Sequence, residues 1–373
     1  MRKVAVFFGG KSCENEISVL TGVFVLHLLR EKYELFPVYL HTDGGAYTHP
    51  KMTDINVFRS GRVDGFQRVV FDGGTAYAVS PKKGKMKSLG KIDAAINCCH
   101  GGLGEGGGVS ALCAWNGIPL ASPDLTASGV FMDKCLTKLV ARALSVPTVD
   151  YIRVNEKDYE KRGAFLLKSI EARLKYPVVI KPAHLGSSIG ITVAKNEGEA
   201  KTAIESAFAL DHRVIIEKFL ADKKDVNCAA YSLGNEIVVS EVEAAFGEGI
   251  YSFEEKYIKR RSDNAAPMQK GGGGAAVVGE LREKIRAYTR TLYKRMNLKG
   301  VVRMDFLVSG KQVYLCEVNT VPGSLAYYLF CERMVDAREL FSALIEDAVR
   351  RKSEEEKKLV TTGILKTVQW QRK

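Results

Sequence analysis

A lysine at the end of an apolar run begins the most informative segment of the chain. Val179 and Ile180 precede Lys181 and Pro182, and a loop of small residues follows as far as Gly190. We interpret the run as a buried strand whose lysine meets an anion, while the loop exposes backbone N–H groups to the same anion. The arrangement suits a polyphosphate, although it is not a P-loop, because the pattern G-x-x-x-x-G-K-[ST] is absent. Taken alone, the segment is better explained as an ordinary Gly/Ser hairpin.

A second group of polar residues combines Arg303 and Asp305 with Glu317 and Asn319. The i, i+2 spacing puts Glu317 and Asn319 on one face of a predicted strand, and a hairpin returns Asp305 near them. Two carboxylates and an amide oxygen are hard ligands that suit Mg²⁺ carrying nucleotide phosphates. A polar, solvent-facing strand would explain any one of these residues. It explains Glu317 less well, because Glu317 follows an apolar run that we expect to be buried.

A third group follows a buried strand at residues 94–99, where His100 begins a glycine-rich turn ending at Gly108. Ligands of open α/β sheets bind at the carboxyl ends of the strands, and a helix N-terminus can hold a carboxylate there. His100 would add a donor, and Glu14 lies in the matching turn after the first strand. This signal is weak alone, since a single His or Glu at a turn is usually a surface residue.

The elements that must position these groups alternate between strand and helix in the first third of the chain. Residues 3–8 form a predicted strand, and Ser12 caps a predicted helix with apolar residues at helical spacing. Further strands are predicted at 34–41, 94–99 and 118–121, with weak strands between 42 and 92 and a helix at 109–116. This alternation predicts an α/β domain with a doubly wound parallel sheet.

Two α+β regions follow, so we divide the chain into domains 1–122, 123–213 and 214–373. The central region has a predicted helix at 125–144, an extended segment after Pro147, strands at 177–182 and 191–194, and a helix at 198–210. The last region has strands at 214–219, 225–232, 236–243, 300–308 and 312–318, a polar loop at 246–276, and helices at 277–296 and 339–358. The Gly234-Asn235 pair predicts a hairpin turn.

Composition excludes several classes of protein. The 373 residues are 46% hydrophobic and 26% charged, which excludes a disordered or fibrous chain. No apolar stretch approaches the roughly 20 residues of a membrane helix, and the N-terminus is expected to be a strand rather than a signal peptide. The net charge is +12, but the basic residues are scattered through mixed-charge helices, which argues against nucleic-acid binding. Eight cysteines without CxxC pairs are typical of buried thiols in the cytoplasm.

In their order along the chain, these residues resemble the ATP-grasp enzymes, and specifically the D-alanine–D-alanine ligase family. The resemblance extends from residue 3 to about residue 330 and rests on these segments: 8–18, 100–105, 132–134, 181–190, 216–219, 251–257, 303–305 and 317–323. It implies an ATP-grasp fold with an N-terminal Rossmann-like domain. It also implies that ATP phosphorylates one D-alanine and that the amine of a second D-alanine attacks the acylphosphate, for peptidoglycan precursor synthesis.

The resemblance also assigns a role to individual residues. The implied ATP-binding residues are Lys134, Lys181, Glu217, Lys218, Leu220, Asp225 and Lys256, and the implied ligands of two Mg²⁺ or Mn²⁺ ions are Asp305, Glu317 and Asn319. The implied catalytic residues are Glu14, Ser187, Tyr257, Arg303 and Gly323, with His100, Tyr328 and Leu329 at the second substrate. We expect D-amino acids and ATP as small-molecule partners, a homodimer, and neither nucleic acid nor membrane as a partner.

Two departures from the family pattern leave the second amino acid open. Gly106 stands where the family has an aspartate, and Tyr328-Leu329 stands where it has a Ser-Leu pair. A ligase of the same mechanism with a different second amino acid is therefore the main alternative. By the family pattern, Lys256-Tyr257 favours an amine nucleophile over a hydroxy acid. A non-catalytic nucleotide-binding protein is a weaker alternative, because the phosphate-binding lysines and the metal ligands are all retained.

Overall fold

The computed structural model describes residues 1–80, 84–244, 277–355, 357–358 and 360–364. The predicted loop 246–276 lies outside these ranges, and with it Lys256 and Tyr257. In the described part of the chain, no helix combines the length and the apolar character needed to cross a membrane. All eight cysteines are free, and five of them are buried.

The first sheet has seven strands around a parallel centre. Its strands are β1 (Lys3–Gly9), β2 (Glu34–Leu40), β3 (Ala46–Thr48), β4 (Gln67–Asp72), β5 (Thr75–Ser80), β6 (Lys85–Lys91) and β7 (Ala94–Asn97). They lie in the order β6-β5-β4-β3-β2-β1-β7. Strand β1 is parallel to β2 and β7, which confirms the predicted parallel sheet at its centre. The weak strands predicted between 42 and 92 extend the sheet in antiparallel fashion, and the predicted strand 118–121 reduces to one bridge, Leu120 with Ala95.

Two helices follow the parallel strands, α1 (Asn15–Leu29) after β1 and α2 (Val109–Trp115) after β7. The predicted cap of α1 at Ser12 is wrong, because Gly9 and Gly10 have φ angles of +87° and +107° and the turn continues beyond Ser12. The Ser12 hydroxyl instead accepts a hydrogen bond from the Glu14 backbone N–H at 2.9 Å and donates one to the His100 carbonyl at 2.8 Å. Ser12 therefore ties the turn that carries Glu14 to the turn that follows β7.

The predicted helix 125–144 is wrong as a single element. It consists of α3 (Leu125–Met132) and α4 (Lys134–Ala143), separated by Asp133 in an extended conformation. The Asp133 carboxylate accepts hydrogen bonds from the backbone N–H groups of Cys135 at 2.7 Å and Leu136 at 3.2 Å, so it caps α4. The break places Lys134 on the first turn of a new helix.

The second sheet is antiparallel. Its strands are β8 (Tyr151–Asn155), β9 (Val178–Pro182), β10 (Thr192–Ala194) and β11 (Arg213–Lys218), in the order β10-β9-β11-β8. Helices α5 (Glu156–Arg173) and α6 (Glu197–Phe208) bury their apolar sides against it. The extended segment predicted between Pro147 and Pro177 is wrong over α5, whose pattern is weak because only Leu167 and Ile170 are buried. Strand β11 pairs with β8 and β9, so the central sheet extends to Lys218. The three domain ranges remain predictions.

The third sheet contains both predicted hairpins, which are confirmed. Its strands are β12 (Lys224–Leu233), β13 (Glu236–Val239), β14 (Glu243–Ala244), β15 (Val302–Ser309) and β16 (Gln312–Asn319). They lie in the order β13-β12-β15-β16, with β14 beside β12. Helix α7 (Glu280–Arg295) packs Ile285 and Leu292 into the core of this sheet.

The C-terminal helix returns to the first sheet. Helix α8 (Ala337–Glu355) and the segment Gly323–Leu329 share one core with α1 and β1. In this core the Phe24 ring lies 5.1 Å from the ring of Tyr327 and 6.2 Å from that of Phe341. Short helical turns also cover Ile55–Phe58, Gly104–Gly108 and Met334–Asp336. The segment after β16 is thereby held against the turns that carry Glu14 and His100.

Candidate active site

A cavity of about 560 Å³ is lined by residues from all three sheets. The residues predicted from the sequence that line it are Glu14, His100, Lys134, Lys181, Ser187, Glu217, Lys218, Leu220, Asp225, Arg303, Asp305, Glu317, Asn319, Gly323 and Tyr328. Leu329 does not line it but packs against the N-terminal core. Lys256 and Tyr257 fall outside the described residues. The phosphate, metal and amino-acid groups predicted separately thus share one cavity.

The oxygen-bearing side chains lie on the β15–β16 hairpin. Asp305 is paired across the strands with Glu317, and Arg303 with Asn319. The next pair is Phe306 with Leu315, so Cys316 is an extra residue, and the register shifts beside Asp305. Such a bulge changes the direction of the strand and re-aims the neighbouring side chains. Asp305, Glu317 and Asn319 consequently reach the cavity together.

Asp305 is the centre of the polar contacts at this end. Both of its carboxylate oxygens accept hydrogen bonds from Arg303, from Nε at 2.7 Å and from Nη2 at 2.8 Å. The Asn319 Nδ2 group donates to the same carboxylate at 3.0 Å, and Arg303 Nη1 lies 3.4 Å from the Tyr328 hydroxyl. Two carboxylates and an amide on one face are a donor set that fits a hard divalent cation.

Two lysines approach the cavity from the central region. Lys134 donates to the Leu185 carbonyl, and its Nζ atom lies 3.8 Å from the Glu317 carboxylate. Lys181 Nζ lies 2.6 Å from Glu217 Oε2. Burial alone lowers the pKa of Lys181, but the neighbouring Cys316 and the Glu217 carboxylate raise it above its usual value. Lys181 therefore carries its positive charge inside the cavity.

The Glu14 carboxylate lies between two glycine-containing loops. It accepts a hydrogen bond from the Ser187 hydroxyl, which belongs to the loop after β9. A Cβ atom added at Gly186 would lie 2.8 Å from Glu14 Oε2, and one added at Gly101 would lie 2.5 Å from the same atom. Both positions need glycine because the backbone passes so close to the carboxylate. Glu14 thus lines the cavity where the loop after β9 meets the turn after β7.

His100 is held by partners on both ring nitrogens. Its Nδ1 atom lies 2.7 Å from the Val321 carbonyl, and its Nε2 atom lies 2.8 Å from the Thr21 hydroxyl. Burial lowers the pKa of His100 to about 4, so the ring is neutral at pH 7. A neutral ring that donates to the carbonyl and accepts from the hydroxyl links the first sheet to the segment after β16.

Glu105, which has no role predicted from the sequence, makes a second link between the same segments. Its carboxylate accepts hydrogen bonds from the Gly101 N–H at 2.8 Å and from the Val321 N–H at 3.1 Å. Burial raises the pKa of Glu105 to about 7. The signal in the sequence was a single carboxylate among glycines. In such a turn the main hydrogen-bond donors available to the carboxylate are backbone N–H groups.

His184 was also missed, although it begins the loop that carries Ser187. Its Nδ1 atom lies 2.9 Å from Asp211 Oδ2, and its Nε2 atom lies 3.4 Å from Asp133 Oδ2. Arg213 donates to Asp133 as well, and the Lys134 N–H donates to the Ala183 carbonyl at 3.1 Å. His184 therefore joins the loop after β9 to the cap of the helix that begins with Lys134.

We expect His184→Gln to lower the free energy of unfolding by about 1–3 kcal/mol at pH 6, because two buried carboxylates lose a charged partner. Asp133 and Asp211 raise the pKa of His184 to about 9 from 6.5. Because the pKa of His184 is higher in the folded state, its charge stabilises the fold fully below pH 6.5. This stabilisation is lost as the pH rises through 9. Urea unfolding at pH 6 and pH 9.5 measures this change.

The control for this experiment is His212→Gln, since His212 also lies beside Asp211, at 3.4 Å, and stacks on His184, but its side chain is 74% exposed. We expect this control to change the free energy of unfolding by less than about 0.5 kcal/mol. A His184 effect of equal size at both pH values would show that the ring contributes packing rather than charge.

Comparison with known proteins places this fold and site in a family. The family model described as D-ala D-ala ligase N-terminus matches residues 3–123, and the model described as D-ala D-ala ligase C-terminus matches residues 140–350. The D-alanine–D-alanine ligase of Thermosipho africanus is 32% identical over 341 residues, which cover 88% of each chain. That of Thermosipho melanesiensis is 30% identical over 376 residues, covering 98% of this chain and 99% of the relative.

Solved structures agree with the architecture. The D-alanine–D-alanine ligase from Helicobacter pylori is 25% identical, with a TM-score of 0.73 over 94% of this chain and 98% of that one. The VanG D-Ala:D-Ser ligase from Enterococcus faecalis, 24% identical, shares the fold with a TM-score of 0.72 over 94% of this chain and 99% of that one. The sheets and the cavity between them are those of an ATP-grasp protein. Within that class, the chain belongs to the D-alanine–D-alanine ligase family, as the sequence resemblance predicted.

Proposed function

We propose that this protein is an ADP-forming ligase that joins two D-alanines, for peptidoglycan precursor synthesis. The observation that carries the proposal is the gathering of Lys134, Lys181, the Asp305–Glu317 pair and Glu14 around one cavity. The cationic side chains suit a triphosphate, and the Glu14 carboxylate suits the ammonium group of an amino acid. Family membership supports the same reaction and ATP as its energy source.

The reaction has two steps. The γ-phosphoryl group of ATP passes to a carboxylate oxygen of the first D-alanine, and ADP leaves. The amine of the second D-alanine then attacks the acyl carbon, loses a proton, and expels inorganic phosphate. Both steps depend mainly on positioning and on neutralising negative charge. The described lysines and arginine supply the neutralising positive charge from three different elements, α4, β9 and β15.

The nucleotide is expected to lie between the second and third sheets. Lys134 and Lys181 would meet its phosphates, and the cavity-lining residues Glu217, Lys218, Leu220 and Asp225 would hold adenine and ribose. Asp305, Glu317 and Asn319 would hold two Mg²⁺ or Mn²⁺ ions. A bound divalent ion there would neutralise phosphate charge. The family resemblance implies that Lys256 meets the γ-phosphate and that Tyr257 orients the first amino acid, and we include both roles in the proposal.

The amino-acid end involves the remaining residues. The Glu14 carboxylate would bind the ammonium group of the first D-alanine. The Ser187 hydroxyl donates to this carboxylate and holds it in position. Arg303 and the Gly323 N–H would stabilise the oxyanion that forms when the amine attacks, where fixed donors have their largest effect. His100 and Tyr328 line the same part of the cavity and would border the second amino acid.

The test is phosphate release from ATP and Mg²⁺ with D-alanine as the sole amino acid. We expect D-alanyl-D-alanine, ADP and phosphate in equal amounts. Release of phosphate with no dipeptide, or no release at all from protein that binds ATP, would reject the proposed reaction. L-Alanine is the matched control, because it has the same size and charge and differs only in configuration.

A second candidate keeps the mechanism and changes the second amino acid. Tyr328 favours it, because its buried ring lines the cavity and its hydroxyl lies 3.4 Å from Arg303 Nη1. A bulky ring beside this group restricts the room for a second substrate. Phosphate release across a panel of D-amino acids distinguishes the two candidates, since a preference for D-alanine supports the first and a preference for another acceptor supports the second.

Substitution of Tyr328 tests whether its ring limits the second substrate. We expect Tyr328→Ser to raise kcat/KM for D-amino acids larger than D-alanine, relative to D-alanine, by about tenfold, as expected when a pocket gains the volume of a few methylenes. Tyr328→Phe keeps the ring and removes only the hydroxyl, so its ratio should stay within about twofold of the wild-type value. An unchanged ratio in the serine variant would place the second substrate elsewhere.

We further propose a cytoplasmic location and a homodimer. The buried free thiols support the first, since they are typical of a reducing compartment. Sedimentation of the purified protein tests the second: a mass near 82 kDa, twice that of the 41.0 kDa chain, is expected for a dimer.

A further inference from the structure

A third lysine lies behind the nucleotide end of the cavity. Lys138 is one turn after Lys134 on α4 and is only 1% exposed, and it does not line the cavity. Its Nζ atom lies 2.9 Å from Glu217 Oε1 and 5.5 Å from the centre of the Tyr151 ring. Neither the sequence analysis nor the proposed reaction gives this lysine a role. A buried ammonium group is costly, so its position needs a reason.

Glu217 lies between two ammonium groups. Its Oε1 atom pairs with Lys138, and its Oε2 atom pairs with Lys181 at 2.6 Å. All three side chains are less than 10% exposed. Burial raises the pKa of Glu217, but Lys138 and Lys181 outweigh burial and lower it to about 2. The carboxylate is therefore ionised and is held from both sides.

Of these two lysines, only Lys181 is placed to turn toward the phosphates in the proposed reaction. Lys181 lines the cavity and is the group proposed to meet the phosphates, whereas Lys138 cannot reach them because Glu217 lies in front of it. If Glu217 had only Lys181, the approach of Lys181 to a phosphate would leave a buried carboxylate without a counter-ion. Breaking such a buried pair costs several kcal/mol.

We propose that Lys138 is a positioning residue. It holds Glu217 in place and ionised while Lys181 turns from Glu217 toward the triphosphate. The inference rests on the proposed nucleotide site, but it does not depend on which amino acids are joined. Lys138 touches no substrate. It acts through Glu217. With Lys138 present, the buried Glu217 carboxylate keeps a counter-ion when Lys181 turns toward the phosphates.

The inference predicts a specific loss of affinity for phosphates. In Lys138→Met the stem is kept and the charge is lost, so Glu217 binds Lys181 more strongly. We expect the Kd for Mg²⁺-ATP, measured by calorimetry without amino acid, to rise about 10- to 100-fold. Adenosine has no phosphates and does not require Lys181 to move, so its Kd should rise several-fold less than that of Mg²⁺-ATP, although Glu217 is also proposed to hold the adenine. Lys138→Gln, which is neutral but keeps a polar group beside Glu217, should show a smaller rise of the same kind.

A double-mutant cycle separates this role from simple packing. In a Glu217→Gln background there is no carboxylate to neutralise, so adding Lys138→Met should change the ATP Kd less than about threefold. Thr137→Val is the matched control on the same helix. Thr137 is buried and bonds the Phe131 and Asp133 carbonyls, so this change should lower the melting temperature and leave the ATP Kd unchanged.

A measurement on the unsubstituted protein makes the test independent of how the variants fold. The ¹³C carboxyl resonance of Glu217, assigned by its absence in Glu217→Gln, should keep its ionised position at pH 5 to 8 with and without saturating ATP. A shift to the protonated position on ATP binding would overturn the inference. So would an unchanged ATP Kd in Lys138→Met, or equal weakening of ATP and adenosine. A wild-type protein that binds ATP but forms no dipeptide would reject only the proposed function.

Discussion

Glu317→Gln is expected to reduce the rate of phosphate release by about a thousandfold while leaving the fold intact. Glutamine keeps the volume of the side chain and removes the charge that a divalent cation requires. Loss of one ligand forfeits part of the several kcal/mol by which a metal ion stabilises transferring phosphoryl groups, and about 4 kcal/mol corresponds to a thousandfold in rate. The variant also removes the negative charge 3.8 Å from Lys134 Nζ.

The measurement is the steady-state rate over a range of Mg²⁺ concentrations, with unfolding followed by circular dichroism. If Glu317 binds the metal, high Mg²⁺ should recover part of the rate in the variant. Glu236→Gln is the control, since Glu236 lies exposed on β13 of the same sheet and should behave like the wild type. Full activity of Glu317→Gln at ordinary Mg²⁺ would show that the hairpin is structural and that the metal site is misassigned.

Contacts that are local in sequence could be predicted from the residue types. The alternation of Glu317 and Asn319 on one strand, and their return past Asp305, follow from the period of a strand and from a short hairpin. The parallel centre of the first sheet follows from strands that alternate with helices. The structure agrees with each of these predictions, because few distant residues are needed to produce them.

Features that depend on distant residues could not be predicted. The break between α3 and α4 depends on Asp133, whose carboxylate is held both by the helix it caps and by Arg213, 80 positions later. The Lys138–Glu217 pair likewise joins a helix to a strand of the second sheet. Periodicity describes which face of an element is buried and carries no information about its charged partner. Several residues predicted for the site do line the cavity, but the sequence does not show which neighbour each of them contacts.

Arg303→Lys is expected to lower kcat by about 100- to 1000-fold, the range for loss of a donor to a developing oxyanion. The arginine uses Nε and Nη2 for Asp305 and still presents Nη1 on the side of Tyr328. A lysine keeps the charge but offers a single point donor, so it cannot hold Asp305 and stabilise an oxyanion simultaneously. The KM for ATP should change less than about threefold, because the oxyanion forms only after phosphoryl transfer.

The split between kcat and KM distinguishes this role from nucleotide binding. Arg282→Lys is the matched control, because Arg282 also grips a carboxylate with two nitrogens, that of the exposed Glu241, at 2.8 and 2.6 Å. That variant should keep its rate within about twofold. A large rise in the KM for ATP with an unchanged kcat would place Arg303 on the phosphates. An unchanged kcat and KM together would mean that the acyl transfer is stabilised by other donors, and that the Arg303–Asp305 pair only fixes the hairpin.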